Sequence, residues 1–180
     1  MRLMGALLAG GQARRFGSDK ALALLDGKPL LAHVADALAP QVATLVIVGR
    51  DWENYPRVDD APAGVGPLGG LCAALAYAHA HGFDAVVSAG CDVVPLPQDL
   101  VKRLQQGADG RACVAQGQWL LGYWPVSLAS DLAAHLKGTQ DYAIRNWMRA
   151  CDAQTVDLGI PLTNINRPQD LAALSGSALE

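Results

Sequence analysis

Strand-length apolar runs alternate along this chain with segments of helical period, and that alternation restricts the fold more than any other feature. The run Leu3–Leu8 is continuously apolar. Strands buried on both faces look like this, and such strands are typical of parallel sheets. Pro29 then opens "PLLAHVADAL", where Leu30, Leu31, Val34 and Leu38 share one helical face and the proline suits the first turn. "ATLVIVG" is a β-branched strand ending at Gly49, and "GPLGGLCAALAYAHAHG" is an Ala-rich helix stopped by Gly82. "DAVVSAGCD" is the next strand, "PQDLVKRLQQG" a helix stopped by Gly107, and "RACVAQ" a further strand. "SLASDLAAHL" and "DYAIRNWMRAC" read as helices, and "RPQDLAAL" as a short closing helix behind an "NIN" turn. The β-α-β-α-β order predicts a Rossmann-like three-layer α/β/α sandwich around a mostly parallel sheet.

The chain has 180 residues, the size of one domain, and residues 1–180 show no linker, repeat or low-complexity segment. Hydrophobic residues make up 51% and charged residues 17%, enough apolar surface for a full core. The net charge of −3 argues against a nucleic-acid partner, because no basic face dominates. Cys72, Cys91, Cys113 and Cys151 are widely spaced with no Cys-x-x-Cys pair, so they read as buried thiols of a reducing, cytoplasmic protein. The opening "MRLMGALLAGG" has an arginine and a short apolar run, but the run is followed at once by Arg14, Arg15, Asp19 and Lys20, whereas a twin-arginine signal carries its arginines before the run, so neither a secretion signal nor a membrane span is expected.

In sheets of this kind ligands bind beyond the carboxyl ends of the strands. Three such ends carry unusual chemistry and should converge. The first is "AGGQARRFGSDK": Gly10 and Gly11 permit a sharp turn with exposed backbone amides, and Arg14, Arg15 and Lys20 add cations. The natural guest is a polyphosphate. The spacing matches neither a Walker A loop nor the dinucleotide fingerprint. The second is Asp92, at the end of a buried strand, a hard-oxygen ligand suited to Mg2+. The third is the "NIN" segment. Asp59 and Asp60 in "RVDDAPAGVGPLGG" are each either a ligand contact or a turn aspartate, and "GPLGGL" is a second glycine cluster placed to lie against a flat base. Trp119, Trp124 and Trp147 read as core, with stacking on a heterocycle as the alternative. His79 and His81, two apart on a helix, point in different directions and share no metal. No Ser/His/Asp or Cys/His arrangement is apparent. Nucleotidyl transfer needs no protein nucleophile, because the acceptor's phosphate attacks the α-phosphorus and pyrophosphate leaves.

The stretch "LAGGQARRFGSDK" resembles the signature L-A-G-G-x-x-x-R-x-G-x-D-K of the molybdenum cofactor guanylyltransferases, the MobA-type proteins. "GPLGGL" resembles their G-P-L-x-G loop, "CDVVPLP" their C-D-x-P-x-x-P segment with one extra residue before Pro95, and "NINRPQDL" their closing N-x-N-x-P-x-D-L. The four segments occur in family order and span nearly the whole chain. The first alone is shared with cytidylyl- and sugar-nucleotidyltransferases.

The resemblance implies a fold of the nucleotide-diphospho-sugar transferase type. It implies transfer of GMP from GTP to molybdopterin carrying molybdenum, with Mg2+ required and pyrophosphate released. Carried over by position, Leu8, Ala9, Gly10 and Gly11 begin the nucleotide loop, and Arg15 and Lys20 are its cations. Asp59 matches a nucleotide-contacting aspartate, and Gly66, Pro67 and Leu68 the second loop. Asp92 matches the magnesium ligand, and Asn164 and Asn166 the pair on the pterin side. Gly49 stands where some members have Asn, leaving only backbone there. "GQWLLGYWPVSL" replaces a His-Pro pair common in the acceptor region. The family implies a monomer that makes transient contacts with other proteins of cofactor assembly, with no membrane partner. Two other readings stay open: a cytidylyltransferase on the same fold, and a nucleotide-binding regulator without catalysis, against which the intact Lys20 and Asp92 speak.

Overall fold

The computed structural model describes residues 1–10, 19–167 and 169–171. Among these the elements run β1 (Leu3–Leu8), β2 (Leu24–Leu25), β3 (Lys28–Pro29), α1 (Leu30–Leu38), β4 (Thr44–Val48), β5 (Arg57–Val58), α2 (Pro67–Ala80), β6 (Ala85–Gly90) and β7 (Val93–Val94). They continue with α3 (Leu100–Ala108), β8 (Cys113–Ala115), β9 (Gln118–Pro125), α4 (Ala129–Gly138), α5 (Ile144–Ala150), β10 (Gln154–Val156) and β11 (Thr163–Asn164). Seven strands form one sheet in the order β10-β8-β9-β6-β1-β4-β5. The central β1 pairs in parallel on both sides, Gly5 lying opposite Leu45 of β4 and Val87 of β6. Within the sheet β9 runs against its neighbours β6 and β8. The mostly parallel sheet expected from the apolar runs is present.

Side-chain alternation along the strands divides the core in two. Leu3 and Leu7 of β1 and Leu45 and Ile47 of β4 pack with the buried faces of α1 and α3. Met4, Ala6, Val46 and Val48 point the other way, onto α2, Leu132 and Leu136 of α4 and Trp147 of α5. Helix α2 is buried without a break from Leu68 to Leu75, as a helix that is apolar on every face should be. No helix among the described residues is long and apolar enough to cross a membrane.

Two sequence expectations change. Helix α3 starts at Leu100 rather than Pro97, and Gly107 lies inside it instead of stopping it. A Cβ at Gly107 would come 2.9 Å from Val156 Cβ, so glycine there lets α3 close onto β10. The stop is made by Asp109, in the left-handed region at φ 44°, followed by Gly110 at φ 78°. The antiparallel strand β9 has no counterpart in the sequence reading. The closing helix expected from "RPQDLAAL" falls partly outside the described residues.

Candidate active site

The strand ends do converge. A cavity of about 430 Å³ opens beyond the carboxyl ends of β1 and β6, lined by Leu8, Ala9 and Gly10, by Asp19 and Lys20, and by Gly90, Cys91 and Asp92. Ala21, Asp60, Gly64, Gly66, Pro67, Gly70 and Leu120 complete it. A second cavity of about 310 Å³ adjoins it, with Pro67, Asp92 and Leu120 lining both. Leu68, Val93, Gln118, Trp119, Tyr142, Ile144 and Asn164 line the second one.

Lys20 ties the site together. Its Nζ lies 2.6 Å from Asp92 Oδ2 and donates to Asn166 Oδ1 at 3.0 Å. Both carboxylate and ammonium are largely shielded, with 22% and 16% of the side chain exposed, so this pair is stronger than an exposed one. Asn166 arrives because β11 pairs with β7, setting Asn164 opposite Val93, and because the Ile165 N–H donates to the carbonyl of Asp92 at 2.9 Å. Asp19 fixes Lys20 from the other direction. Its Oδ1 accepts from the Ala21 N–H at 3.2 Å, capping the 3₁₀ turn Lys20–Leu22. Its Oδ2 accepts from Arg50 at 2.5 Å.

The two glycine clusters meet around Asp60. A Cβ on Gly10 would lie 2.8 Å from Asp60 Oδ2, and one on Gly70 would lie 3.0 Å from Asp60 Oδ1. Gly49, at φ 86°, presses so closely on Gly10 that a Cβ there would sit 2.4 Å from the Gly10 Cα. Gly49 therefore packs directly behind Gly10 at the end of β1. Burial, and then the charge of Asp59, push the Asp60 carboxyl above its ordinary range. Burial, and then the charge of Asp92, push the Cys91 thiol up to about 11, so it stays protonated on the cavity wall. Helix α2 starts at Pro67 behind Gly66 without a side-chain cap, and its first turn opens on the cavity. The positive end of a helix suits an anionic or electron-rich guest, although here Pro67 has no N–H and the Gly69 N–H already donates to the Gly66 carbonyl at 3.1 Å.

Of the residues singled out in the sequence, Leu8, Ala9, Gly10, Lys20, Gly66, Pro67 and Asp92 line the first cavity. Leu68 and Asn164 line the second, and Asn166 reaches the first through Lys20. Gly11 and Arg15 lie outside the described residues. Asp59 stands apart: it is paired with Arg57 at 2.6 Å with 76% of its side chain exposed, while its neighbour Asp60 faces the cavity. The parity of the strand explains this. Val58 is buried at the end of β5, so the next side chain points outward and the one after it inward. The sequence reading also passed over Asp19 and Leu120. Trp124 and Trp147 are core, as read, but Trp119 lines the second cavity.

A glycine at the end of β1, a lysine, and a half-buried carboxylate shared with an adjoining cavity are the parts that nucleotidyl transfer needs, and the comparisons with known proteins give the same class, a nucleotidyltransferase. The MobA-like NTP transferase domain model matches residues 5–156. A molybdenum cofactor guanylyltransferase of Cereibacter sphaeroides is 38% identical, over 96% of this chain and 95% of its own. One from Rhodobacter capsulatus is 36% identical, over 96% and 94%. The chain belongs to the molybdenum cofactor guanylyltransferase family. Its fold is that of molybdopterin-guanine dinucleotide biosynthesis protein A from Archaeoglobus fulgidus, with TM-score 0.78 and 24% identity over 97% of this chain and 98% of that one. A 2-C-methyl-D-erythritol 4-phosphate cytidylyltransferase from Thermus thermophilus shares the fold at TM-score 0.72 and 16% identity, over 96% and 97%.

Proposed function

We propose that the protein transfers GMP from GTP to molybdopterin carrying molybdenum, forming molybdenum guanine dinucleotide and releasing pyrophosphate. The observation that carries this reading is the position of Asp92. It lines both cavities and is paired with Lys20, so a nucleotide in the first cavity and an acceptor in the second meet at one carboxylate. An acceptor phosphate oxygen attacks the α-phosphorus. The bond from that phosphorus to the bridging β-oxygen breaks, and pyrophosphate carries the electron pair away. The protein's part is alignment and charge. Leu8, Ala9, Gly10 and the first turn of α2 hold base and phosphates, with Asp60 facing them. Lys20, together with Arg15 from the sequence, neutralises the phosphates. Asn164 and Asn166 stand on the acceptor side.

The donor set fits Mg2+. Asp92 offers hard oxygen, and no three His, Cys, Asp or Glu side chains are grouped to hold a metal among the described residues. Mg2+ typically binds through one or two carboxylates plus substrate phosphates. When bound, it adds positive charge against the phosphates.

The test is pyrophosphate release from each nucleoside triphosphate, with and without molybdopterin, in Mg2+ or in EDTA. Release is expected only with GTP, molybdopterin and Mg2+ together, and Asp92→Ala should abolish it. Release driven by CTP would assign the protein to the cytidylyl branch instead. An Asp92→Ala variant as active as wild type would remove the role given to that residue.

A further inference from the structure

The ladder between β8 and β9 is broken at one place. Val114 lies opposite Gly122, but the next residue, Ala115, lies opposite Gln118. Trp119, Leu120 and Leu121 are therefore extra on β9, a three-residue bulge. On the other side the β6–β9 register ends at Ser88 opposite Gly122, although β6 itself runs on to Gly90. The two strands fork here, and the second cavity lies by the fork. Bulges beside active sites commonly re-aim side chains. In this case Leu120 lines both cavities, and Trp119 lines the second cavity together with a further cavity that Arg145 also lines.

A bulge leaves carbonyls without ladder partners, and buried carbonyls need one. Ser88 supplies it. Its hydroxyl donates to the Leu120 carbonyl at 2.7 Å and accepts from the Trp124 indole N–H at 2.8 Å. Ser88 is 1% exposed in a strand that is otherwise apolar or glycine, so its hydroxyl is an exception in that core. Gly122 makes the arrangement possible, because a Cβ there would come 2.9 Å from Trp124 Nε1. A core tryptophan, a buried serine and the wall of the acceptor cavity thus form one hydrogen-bonded chain. The Arg145 guanidinium lies 5.4 Å from the centre of the Trp119 ring, steadying the indole from the side of the further cavity.

We propose that the Trp119–Leu121 bulge is the acceptor-selecting element of this enzyme: Trp119 is the stacking platform for the acceptor's flat heterocycle, and Ser88 is a positioning residue that fixes it. This rests on the guanylyl-transfer reading. The chemistry of the cavity suits such a ring. Its walls are the apolar Pro67, Leu68 and Ile144 with the aromatic Trp119 and Tyr142, and the Asn164 amide, hydrogen-bonded to Gln118 at 3.3 Å, offers polar groups for a heterocycle's edge.

The experiment is steady-state pyrophosphate release with molybdopterin varied at saturating GTP, beside direct titration of each variant with GTP. Ser88→Ala should raise the molybdopterin KM about tenfold by leaving the Leu120 carbonyl and the Trp124 N–H unpaired. Trp119→Ala should raise it about tenfold by removing the stack, and Trp119→Phe, which keeps a flat ring, about threefold or less. The GTP dissociation constant should stay at the wild-type value in all three. A purely structural loss would move both constants or deplete active enzyme without changing either. Trp119 is at the cavity wall rather than in the core, so Trp119→Ala remains informative if Ser88→Ala does not fold. An unshifted molybdopterin KM in either folded alanine variant, or a GTP constant that rises in parallel, overturns the proposal. Wild-type protein silent with GTP and molybdopterin overturns the parent reading and this one with it. Active wild type with unshifted variants overturns this one alone.

Discussion

Asp60 holds a carboxylate where Gly10, Gly49 and Gly70 leave room for one, and it does so at a cost in stability. Its carboxyl is pushed up by burial and by Asp59, so the folded state binds the proton more readily than the unfolded chain does. The penalty is therefore full at neutral pH, shrinks as pH falls through the raised folded value, and is gone below the ordinary aspartate range near about pH 4. Asp60→Asn should melt higher than wild type at pH 7, and the two melting curves should merge in acid. The same substitution should weaken GTP binding about tenfold or more, the scale of a lost charged contact. A variant that melts lower at pH 7 and binds GTP normally would show Asp60 to be structural. Lys20 is the opposite case, a charge made comfortable by Asp92 and Asn166. Lys20→Ala should lower turnover about 10²- to 10³-fold, as the loss of one preorganised electrostatic contact does. Unchanged single-turnover rates in purified protein would sink that role.

At the scale of elements, Gly107 shows how a propensity argument goes astray. Ala in a helix interior is favoured over Gly by about 1 kcal/mol. Gly107 lies inside α3, yet a Cβ there would meet Val156 at 2.9 Å and Cys113 Sγ at 3.1 Å. Overpacking of that kind costs about 1–3 kcal/mol. Gly107→Ala should thus lower the urea-unfolding free energy by about 1–2 kcal/mol, and a stabilised variant would mean that α3 has room against β10. A glycine that allows close packing and a glycine that ends a helix look alike in sequence, which is why Gly107 was misread. The parallel strands were legible because burial on both faces writes a continuous apolar run, as in Leu3–Leu8 and Ala85–Gly90. Strand β9 was not legible. Its bulge breaks the period in "QWLLGYWP", and its partners are fixed by long-range pairing rather than by local pattern. The candidate site was legible wherever glycine and charge fall at strand ends. It was illegible where geometry chooses between neighbours, as between Asp59 and Asp60, or where an apolar residue such as Leu120 becomes a wall.

At the scale of the whole molecule, Lys20 joins parts of the chain that lie 72 and 146 residues away, the end of β6 and the segment after β11. A nucleotide in the first cavity would consequently touch Gly10, the start of α2 and Asp92 at once. Binding that engages only the folded state stabilises it by mass action, about 2.7 kcal/mol when ligand is at 100 times its dissociation constant. For a chain of this size each kcal/mol moves Tm by about 2–4 °C, so saturating GTP with Mg2+ should raise Tm by about 5–10 °C. Mg2+ alone should move it little, because the only carboxylate assigned to the metal is already paired with Lys20 and the phosphates supply the remaining oxygens. The same concentration of GTP in EDTA should give a smaller rise, and CTP with Mg2+ a smaller one still. These four melting curves, read against that of the ligand-free protein, decide the matter. A rise with Mg2+ alone equal to that with GTP and Mg2+ would mean that the metal has its own protein site, and Asp92 would then have to leave Lys20 before any nucleotide arrives.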